Sequence, residues 1–139
     1  MVDWPFVAER LTLARNYWLG TVGADGRPHT APIWGVLVDE DLFLETSPQT
    51  RKARNLVARP AVTVHVELGD EAVIVEGQAS DFRPDRALGG SVAAAFATKY
   101  PGYTPTPDAW DQGSLYVVIP QTVFAWRDMP TATRWRFSR

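Results

Sequence analysis

The 139-residue chain has no cysteine, no long hydrophobic run and no excess of positive charge. Without cysteine it forms no disulfide or thiolate metal site, and its first residues lack the basic start and apolar run of a secretory signal, so we expect a cytoplasmic protein. Its apolar runs are far shorter than the ~20 residues that span a bilayer, so we expect no membrane partner. The formal net charge of −2 argues against a nucleic-acid partner, because a basic surface is what holds a phosphate backbone.

The composition is typical of one globular domain. Hydrophobic residues make up 45% of the chain and charged residues 22%, and a chain of this length buries enough surface to form a core without disulfides. No repeat or low-complexity segment divides it, so we treat residues 1–139 as a single domain. The six tryptophans are numerous for this length, which favours a cleft or a subunit contact lined by aromatic rings.

Short runs of β-branched and aromatic residues separated by turn residues predict a mainly β protein. The connections between the first three strands are too short for a helical crossover, so they form an antiparallel meander. Pro120 interrupts the last apolar run and forces an edge or a bulge there. The pattern predicts a small antiparallel barrel of about six or seven strands. We expect strands over residues 16–22, 29–38, 42–46, 61–68, 72–82, 114–119 and 122–127, and helices over 3–14, 47–58 and 85–99.

The most informative segment is the helix predicted over residues 47–58, with the sequence SPQTRKARNLVA. Ser47 is interpreted as its N-cap and Pro48 as its first helical residue, a position where proline is favoured. The helical spacing predicts that its apolar stripe consists of Ala53, Leu56 and Val57.

Thr50, Arg51 and Lys52 occupy the first turns of this helix, where acidic residues normally complement the helix dipole. Free backbone N–H groups and about half a positive charge make such an end a binding site for an anion, and a phosphate would also neutralise the two cations. Asn55 lies four residues after Arg51 and three after Lys52, so the spacing places it on their face of the helix. A solvated basic surface explains the same charges equally well at this point.

Several segments resemble one known family. The strand HTAPIWGVLVD from His29, the strand LFLETS and the run TRKARNLVARPAVTVHVE are similar to the pyridoxamine 5′-phosphate oxidase-like split β-barrel proteins. Within them the chain most resembles the type B flavin/deazaflavin oxidoreductases, which use FMN or the deazaflavin coenzyme F420. The segments GDEAVIVEG at 69–77 and TRWRF at 133–137 are similar to the same group, and RKARN is the most specific of these motifs.

The resemblance implies a homodimer of split barrels with two cofactor sites at the subunit interface. It implies that Thr50, Arg51 and Lys52 hold the cofactor phosphate, and that Trp126 reaches the site from the partner subunit. Residues 45–47 and the pair 33–34 would flank the ribityl chain and the ring. The candidate cofactor-binding residues are thus Ile33, Trp34, Glu45, Thr46, Ser47, Thr50, Arg51, Lys52, Asn55 and Trp126.

The implied activity is hydride transfer from F420, or alternatively from FMN, to a small unsaturated substrate. Because the cofactor itself carries the hydride, no catalytic side chain is predicted. His29 and His65, the two histidines, have no carboxylates at a metal-ligand spacing, so no metal site is predicted. A non-catalytic carrier of the same cofactor remains an alternative, as does a nucleic-acid-binding barrel, which the net charge disfavours.

Overall fold

The computed structural model describes residues 1–138 and confirms the predicted antiparallel barrel. All seven strands belong to one sheet in the order β3-β2-β1-β4-β5-β6-β7, and a further pairing of β3 with β6 closes six of them into a barrel. Every pairing is antiparallel. The strands are β1 (Tyr17–Val22), β2 (Pro28–Val38), β3 (Asp41–Glu45), β4 (Ala61–Val66), β5 (Ala72–Asp81), β6 (Leu115–Trp126) and β7 (Thr133–Arg136).

Three α-helices and one 3₁₀ turn, Met129–Thr131, complete the fold. Asp3 caps the first helix, because its carboxylate accepts a hydrogen bond from the Phe6 backbone N–H at 3.1 Å. The Asp85 carboxylate caps the third helix through the Leu88 N–H at 2.8 Å. In the part of the chain that the structure describes, no helix has the length and apolar character needed to cross a membrane. The helices are α1 (Trp4–Leu13), α2 (Arg51–Ala58) and α3 (Arg86–Lys99).

Alternate side chains of the strands fill the barrel, as the period of two along a strand requires. Tyr17 and Leu19 of β1 are fully buried there, together with Val64 of β4 and Val73 of β5. A second core lies outside the barrel, where Phe96 of α3 and the Trp110 ring pack against β2 and β3. Strands β2 and β3 are therefore covered on both faces, which fixes the wall that carries the candidate site.

One predicted break in the sheet is absent. The strands predicted over 114–119 and 122–127 are a single strand, β6, which passes through Pro120. The structure confirms the predicted bulge, because Glu76 pairs with Thr122 and Gly77 with Pro120, which leaves Gln121 as the extra residue. Pro120 has no backbone N–H to donate, and it lies at the bulge, where the hydrogen-bond ladder is already irregular. The strand therefore continues past it.

Two predictions about α2 are wrong. The helix begins at Arg51, and Thr50 rather than Ser47 is its N-cap, because the Thr50 hydroxyl accepts a hydrogen bond from the Ala53 N–H at 3.3 Å. Val57, predicted to belong to the apolar stripe, is 88% exposed, whereas Asn55 is buried. The physical reason is the surface beneath the helix: β1 presents a hydroxyl group there, which a polar side chain satisfies and a valine does not.

Candidate cofactor site

Half of the predicted cofactor-binding residues line one cavity of about 260 Å³. It lies where β2 and β3 meet the start of α2, and Asn16 and Pro32 complete its wall. Neither residue was predicted to bind the cofactor, although Pro32 lies in the strand from His29 that carries the family resemblance. The predicted residues in the wall are Ile33, Trp34, Glu45, Thr46 and Lys52.

Strand pairing and one hydroxyl contact hold this wall together. Trp34 lies directly opposite Glu45 in the β2–β3 register. Thr46 follows β3, and its hydroxyl oxygen lies 3.0 Å from that of Thr50, the N-cap of α2. The end of β3 is thus tied to the start of α2, which places Lys52 at the cavity.

The start of α2 is a positive site without a counter-charge. The N–H groups of Arg51 and Lys52 precede the first intrahelical hydrogen bond, which Arg54 donates to the Thr50 carbonyl at 3.0 Å. No acidic residue lies in the first turn, and within residues 1–138 no carboxylate lies within 4.0 Å of the Arg51 or Lys52 side chain. Two cations and the helix dipole therefore act on the same space, which is suited to a phosphate.

His29, which the sequence analysis discounted, lies close to this positive site. Burial lowers the pKa of its imidazole, and the charges of Arg51 and Lys52 lower it further. Its Nδ1 atom is buried and has no hydrogen-bond partner among residues 1–138. The sequence pattern places His29 on a strand but cannot show that α2 packs beside it, so no sequence signal identified this neighbour of the site.

Asn55 anchors α2 and does not line the cavity. Its side-chain N–H donates to the Thr21 hydroxyl at 3.0 Å, between two buried side chains. Helical spacing predicts that Asn55 lies on the face of Arg51, but Arg51 is exposed whereas Asn55 is buried against the barrel. Its contact with β1 fixes how far the cationic end of the helix extends over the cavity.

Aromatic side chains from α3 and the following loop support the wall from behind. The Trp34 ring stacks on Tyr100 with centroids 4.1 Å apart and planes 9° apart. The Tyr100 hydroxyl accepts from the Gly35 N–H at 3.0 Å and donates to the Arg15 carbonyl at 2.7 Å. These contacts hold the indole in one orientation at the cavity.

Glu45 is a carboxyl group that the wall partly removes from water. Burial raises its pKa, and the hydrogen bond that the Tyr103 hydroxyl donates to its carboxylate lowers it by less. Within residues 1–138 no lysine or arginine nitrogen lies within 4.0 Å of it. The cavity thus combines a cation on the α2 side with an acid of raised pKa on the β3 side.

Trp126 lies away from this cavity, at the end of β6, where its indole N–H donates to the Gly69 carbonyl at 2.8 Å. It belongs to the outer face of the sheet, which carries a row of paired residues across five strands. Pro32 pairs with Trp18, and the row continues across β4 and β5 to β6. We call this row the outer band; it consists of Pro32, Trp18, His65, Ile74 and Phe124, all partly or largely exposed.

The family of the chain follows from its sequence match. Residues 4–127 match the family model described as pyridoxamine 5′-phosphate oxidase. The chain belongs to this family. No curated protein matches the sequence.

The solved structures that resemble this chain belong to proteins with different names and roles. The chain is similar to the conserved hypothetical protein Rv2991 from Mycobacterium tuberculosis, with 26% identity and a TM-score of 0.75 over 91% of this chain and 85% of that one. An F420 reductase aligns with 25% identity and a TM-score of 0.65 over 83% and 93%. The heme storage protein HutZ from Vibrio cholerae, with 23% identity and a TM-score of 0.67 over 90% and 95%, shares the fold.

The residues at the cavity fit a flavin-type cofactor. Arg51, Lys52 and the free N–H groups of α2 match a phosphate, and the stacked Trp34 offers a flat apolar surface to a ring. Among residues 1–138, no group of three or more histidines and acidic residues is placed to hold a metal ion. The arrangement is therefore suited to holding an organic phosphate beside an aromatic wall.

Proposed function

We propose that this protein is an oxidoreductase that binds a phosphate-bearing deazaflavin, coenzyme F420, and transfers a hydride to a small unsaturated substrate. The observation that carries the proposal is the uncompensated pair Arg51 and Lys52 beside a cavity walled by Trp34 and Glu45. Membership of the family and the similarity to an F420 reductase support it. The bound cofactor supplies the hydride, and the protein supplies position and shelter from water.

The positive site would act on the cofactor through charge-assisted hydrogen bonds. Arg51 is exposed and can form a two-pronged contact with phosphate oxygens, whereas Lys52 approaches from within the cavity wall. The Thr50 hydroxyl already accepts from the Ala53 N–H, so its main role would be to fix the turn that carries the two cations. Ser47 lies in that turn and accepts from the Gln49 N–H at 3.4 Å, which gives it the same supporting role.

Exposed arginines beyond the phosphate site favour F420 over FMN. FMN ends in its phosphate, whereas F420 continues into a tail that bears several carboxylates. Arg54 and Arg59 lie exposed on and just after α2, and Arg134 and Arg136 lie exposed on β7. A negatively charged tail that leaves the cavity along α2 would meet the first two of these cations.

We further propose that a second copy of the chain completes the site. The outer band starts at Pro32, which also lines the cavity, and it leaves Trp18 37% exposed. Apolar surface of this kind, continuous with a binding cavity, is typical of a subunit contact. Trp126 lies on the same outer face as Phe124, four strands from β2, so a two-fold axis through the band would carry it toward the other copy's cavity.

The deciding experiment is a titration of the purified protein with FMN and, separately, with F420 at two salt concentrations. F420 is expected to bind more tightly, and its dissociation constant is expected to rise more steeply with salt, because more exposed charges are screened. If FMN binds more tightly at both salt concentrations and the slopes are parallel, FMN replaces F420 in the proposal.

Turnover separates the enzyme from a carrier. The protein is loaded with reduced F420 and mixed with small acceptors that contain an activated carbon–carbon double bond or a nitro group. An oxidoreductase reoxidises the bound cofactor faster than the same acceptor does in free solution. A rate equal to that in solution for every acceptor, with tight cofactor binding, would make the protein a carrier.

A further inference from the structure

A second cavity of about 260 Å³ lies at the opposite ends of β2 and β3, between α1 and the barrel. Eleven of its twelve lining residues are apolar, and Glu40 is the one charged residue among them. Val7 and Ala8 of α1 form one wall, and Val118 and Val123 of β6 form part of the other. None of the predicted cofactor-binding residues lines it, so this cavity is separate from the candidate cofactor site.

This cavity is partly open to solvent, and it is larger than the voids that ordinary packing leaves in a protein interior. Protein interiors pack as densely as organic crystals and hold few voids larger than a water molecule. An apolar cavity of about 150 Å³ in another protein stays dry and binds benzene. The present cavity is larger, and its wall is almost entirely apolar.

Contacts at both ends of α1 hold this helix in place over the end of the barrel. At the N-terminal end, the Trp4 ring meets Trp135 edge-on at 5.4 Å and Phe137 at 5.7 Å. At the C-terminal end, the Tyr17 hydroxyl donates to the Leu11 carbonyl. These contacts fix the position of α1 on the barrel, and the cavity is part of that arrangement.

The mouth of the cavity is acidic. Glu40 lies in the two-residue turn between β2 and β3, and both Asp39 (φ 50°) and Glu40 (φ 70°) have left-handed backbone conformations. Such turns favour Asp-Gly and Asn-Gly, so Asp39 suits its position, whereas Glu40 occupies a position that favours glycine. Asp41 adds a third exposed carboxylate, and within residues 1–138 no lysine or arginine nitrogen lies within 4.0 Å of any of the three.

We propose that the cavity beneath α1 is a second binding site, which takes a small apolar molecule bearing one protonated amine. The apolar part would lie between Val7 and Val123, and the ammonium group would meet Glu40 at the mouth. Scaled from the benzene-sized cavity, the volume holds a ligand of about ten heavy atoms. The ammonium group would neutralise part of the uncompensated charge of the turn, which explains why amines are favoured over acids.

Three probes of nearly the same size test this proposal on the full-length protein: 2-phenylethylamine, 2-phenylethanol and phenylacetate. Binding is followed by NMR, through the methyl resonances of Val7 and Val123. We expect the amine to bind about threefold to fivefold more tightly than the alcohol, since one exposed charge contact adds little more, and the carboxylate to bind least. Glu40→Gln is expected to bring the amine to the affinity of the alcohol.

Two matched variants locate the site. Ala8→Leu places a larger side chain into the cavity from α1 and is expected to abolish binding of all three probes. Ala94→Leu makes the same change at an exposed position of α3 and is expected to leave binding unchanged. Probe binding that survives Ala8→Leu, or the absence of saturable amine binding to the wild-type protein, would overturn the proposal. Equal affinities for amine and carboxylate would also overturn it, because the acidic mouth would then select nothing.

Ala8→Leu also has a readout that needs no ligand. In a preformed cavity the added side chain gains packing contacts, so the thermal midpoint of the variant is expected to rise above that of the wild type. A clear fall in this midpoint would show that the cavity has already collapsed in solution, which contradicts a preformed binding site.

Discussion

The two cavities have similar volumes and share the same two strands, yet they have opposite chemical character. At one end, β2 and β3 contribute Trp34 and Glu45 to a wall that α2 covers with uncompensated cations. At the other end, they contribute Leu37 and Leu42 to an apolar wall with an acidic mouth. The difference arises from the helix that covers each end, because α2 brings charge where α1 brings only apolar side chains. The same two strands thus contribute to two different cavities.

The largest expected effect is that of Arg51→Ala, which should weaken binding at the cofactor cavity and leave the cavity beneath α1 unchanged. Charge-assisted contacts with phosphate are each worth about 1.5–3 kcal/mol, so Arg51→Ala should weaken F420 or FMN binding by about tenfold to a hundredfold. A fluorescence titration measures the loss. Binding of 2-phenylethylamine beneath α1 should not change, because that cavity lies at the other end of the strands.

The matched control is Arg54→Ala. The Arg54 guanidinium donates to the Gln49 carbonyl at 2.6 Å, so it already has a partner and should contribute less to the phosphate site. Equal losses for the two variants would show that general electrostatics, and not a defined phosphate site, holds the cofactor.

The next largest effect concerns the outer band. Ile74→Arg places a charge in the centre of the proposed subunit contact, so the protein should become monomeric and bind cofactor about tenfold more weakly. Light scattering and the cofactor titration measure the two effects. Glu76→Arg, on the same strand and exposed, is the control that should disturb the dimer less. A wild-type protein that is monomeric at micromolar concentration and binds cofactor at full affinity would contradict the shared site.

The next prediction concerns Lys99, which contacts the segment of β2 between the two cavities. Its ammonium group donates to the Gly35 carbonyl at 2.7 Å and to the Tyr17 hydroxyl at 2.8 Å, and burial lowers its pKa from 10.5 to about 8. As the pH falls from 9 to 8, the unfolded chain already holds this proton and the folded chain takes it up only with a lower pKa, so the free energy of unfolding should fall. It should therefore rise with pH between 8 and 9.

Chemical denaturation at several pH values between 8 and 9 measures this slope. Lys99→Met keeps the length and apolar character of the side chain but removes the titrating group, so the slope should flatten. Burial raises the pKa of Tyr17, Tyr100, Tyr103 and Tyr116, and their opposing effect on stability begins as the pH nears the ordinary tyrosine pKa of 10, above this range. An unchanged slope in Lys99→Met would assign the pH dependence to other groups.

The smallest expected effect is the change in cofactor affinity when Glu45 becomes protonated. Burial raises the pKa of this carboxyl group, so on acidification it takes up its proton earlier than an exposed glutamate does. A neutral Glu45 repels a phosphate less, so F420 affinity should increase toward low pH by about twofold to fivefold. Glu45→Gln should remove this dependence. If the variant and the wild type show the same pH profile, Glu45 does not face the bound cofactor.

Tyr103→Phe refines the same measurement. The Tyr103 hydroxyl donates to the carboxylate and so favours the ionised form of Glu45. Without that bond, the pKa of Glu45 should rise further, and the increase in F420 affinity should begin at a higher pH.

Much of the barrel could be predicted from the sequence because its signals are local. Alternating apolar residues and tight turns located the strands of the barrel, and Asp3 and Asp85 marked the starts of two helices. Closure of the barrel has no such local signal, because the pairing of β3 with β6 joins residues about seventy positions apart. The error at Val57 has the same origin, since helical spacing predicts a face but not the chemistry of the surface beneath it.

At the candidate site, too, some features could be predicted from the sequence and others depend on packing. The cations of α2 were visible in the sequence, because a basic helix start conflicts with the helix dipole whatever surrounds it. The neighbours of that start were not visible: His29, Asn16 and Tyr103 come from separate elements, and only packing brings them to one place. The roles assigned to Glu45 and Trp126 still depend on the bound cofactor and on a second copy of the chain.

The sequence by itself determined where the chain is apolar, where it turns and where it concentrates positive charge, since these properties belong to short segments. Only the tertiary structure decided which charges lack partners and which apolar surfaces enclose space. The acidic turn at residues 39–41 illustrates the reason: in sequence it is an ordinary exposed turn, and it becomes the mouth of a cavity only because α1, held by Trp4 and Leu11, spans the end of the barrel.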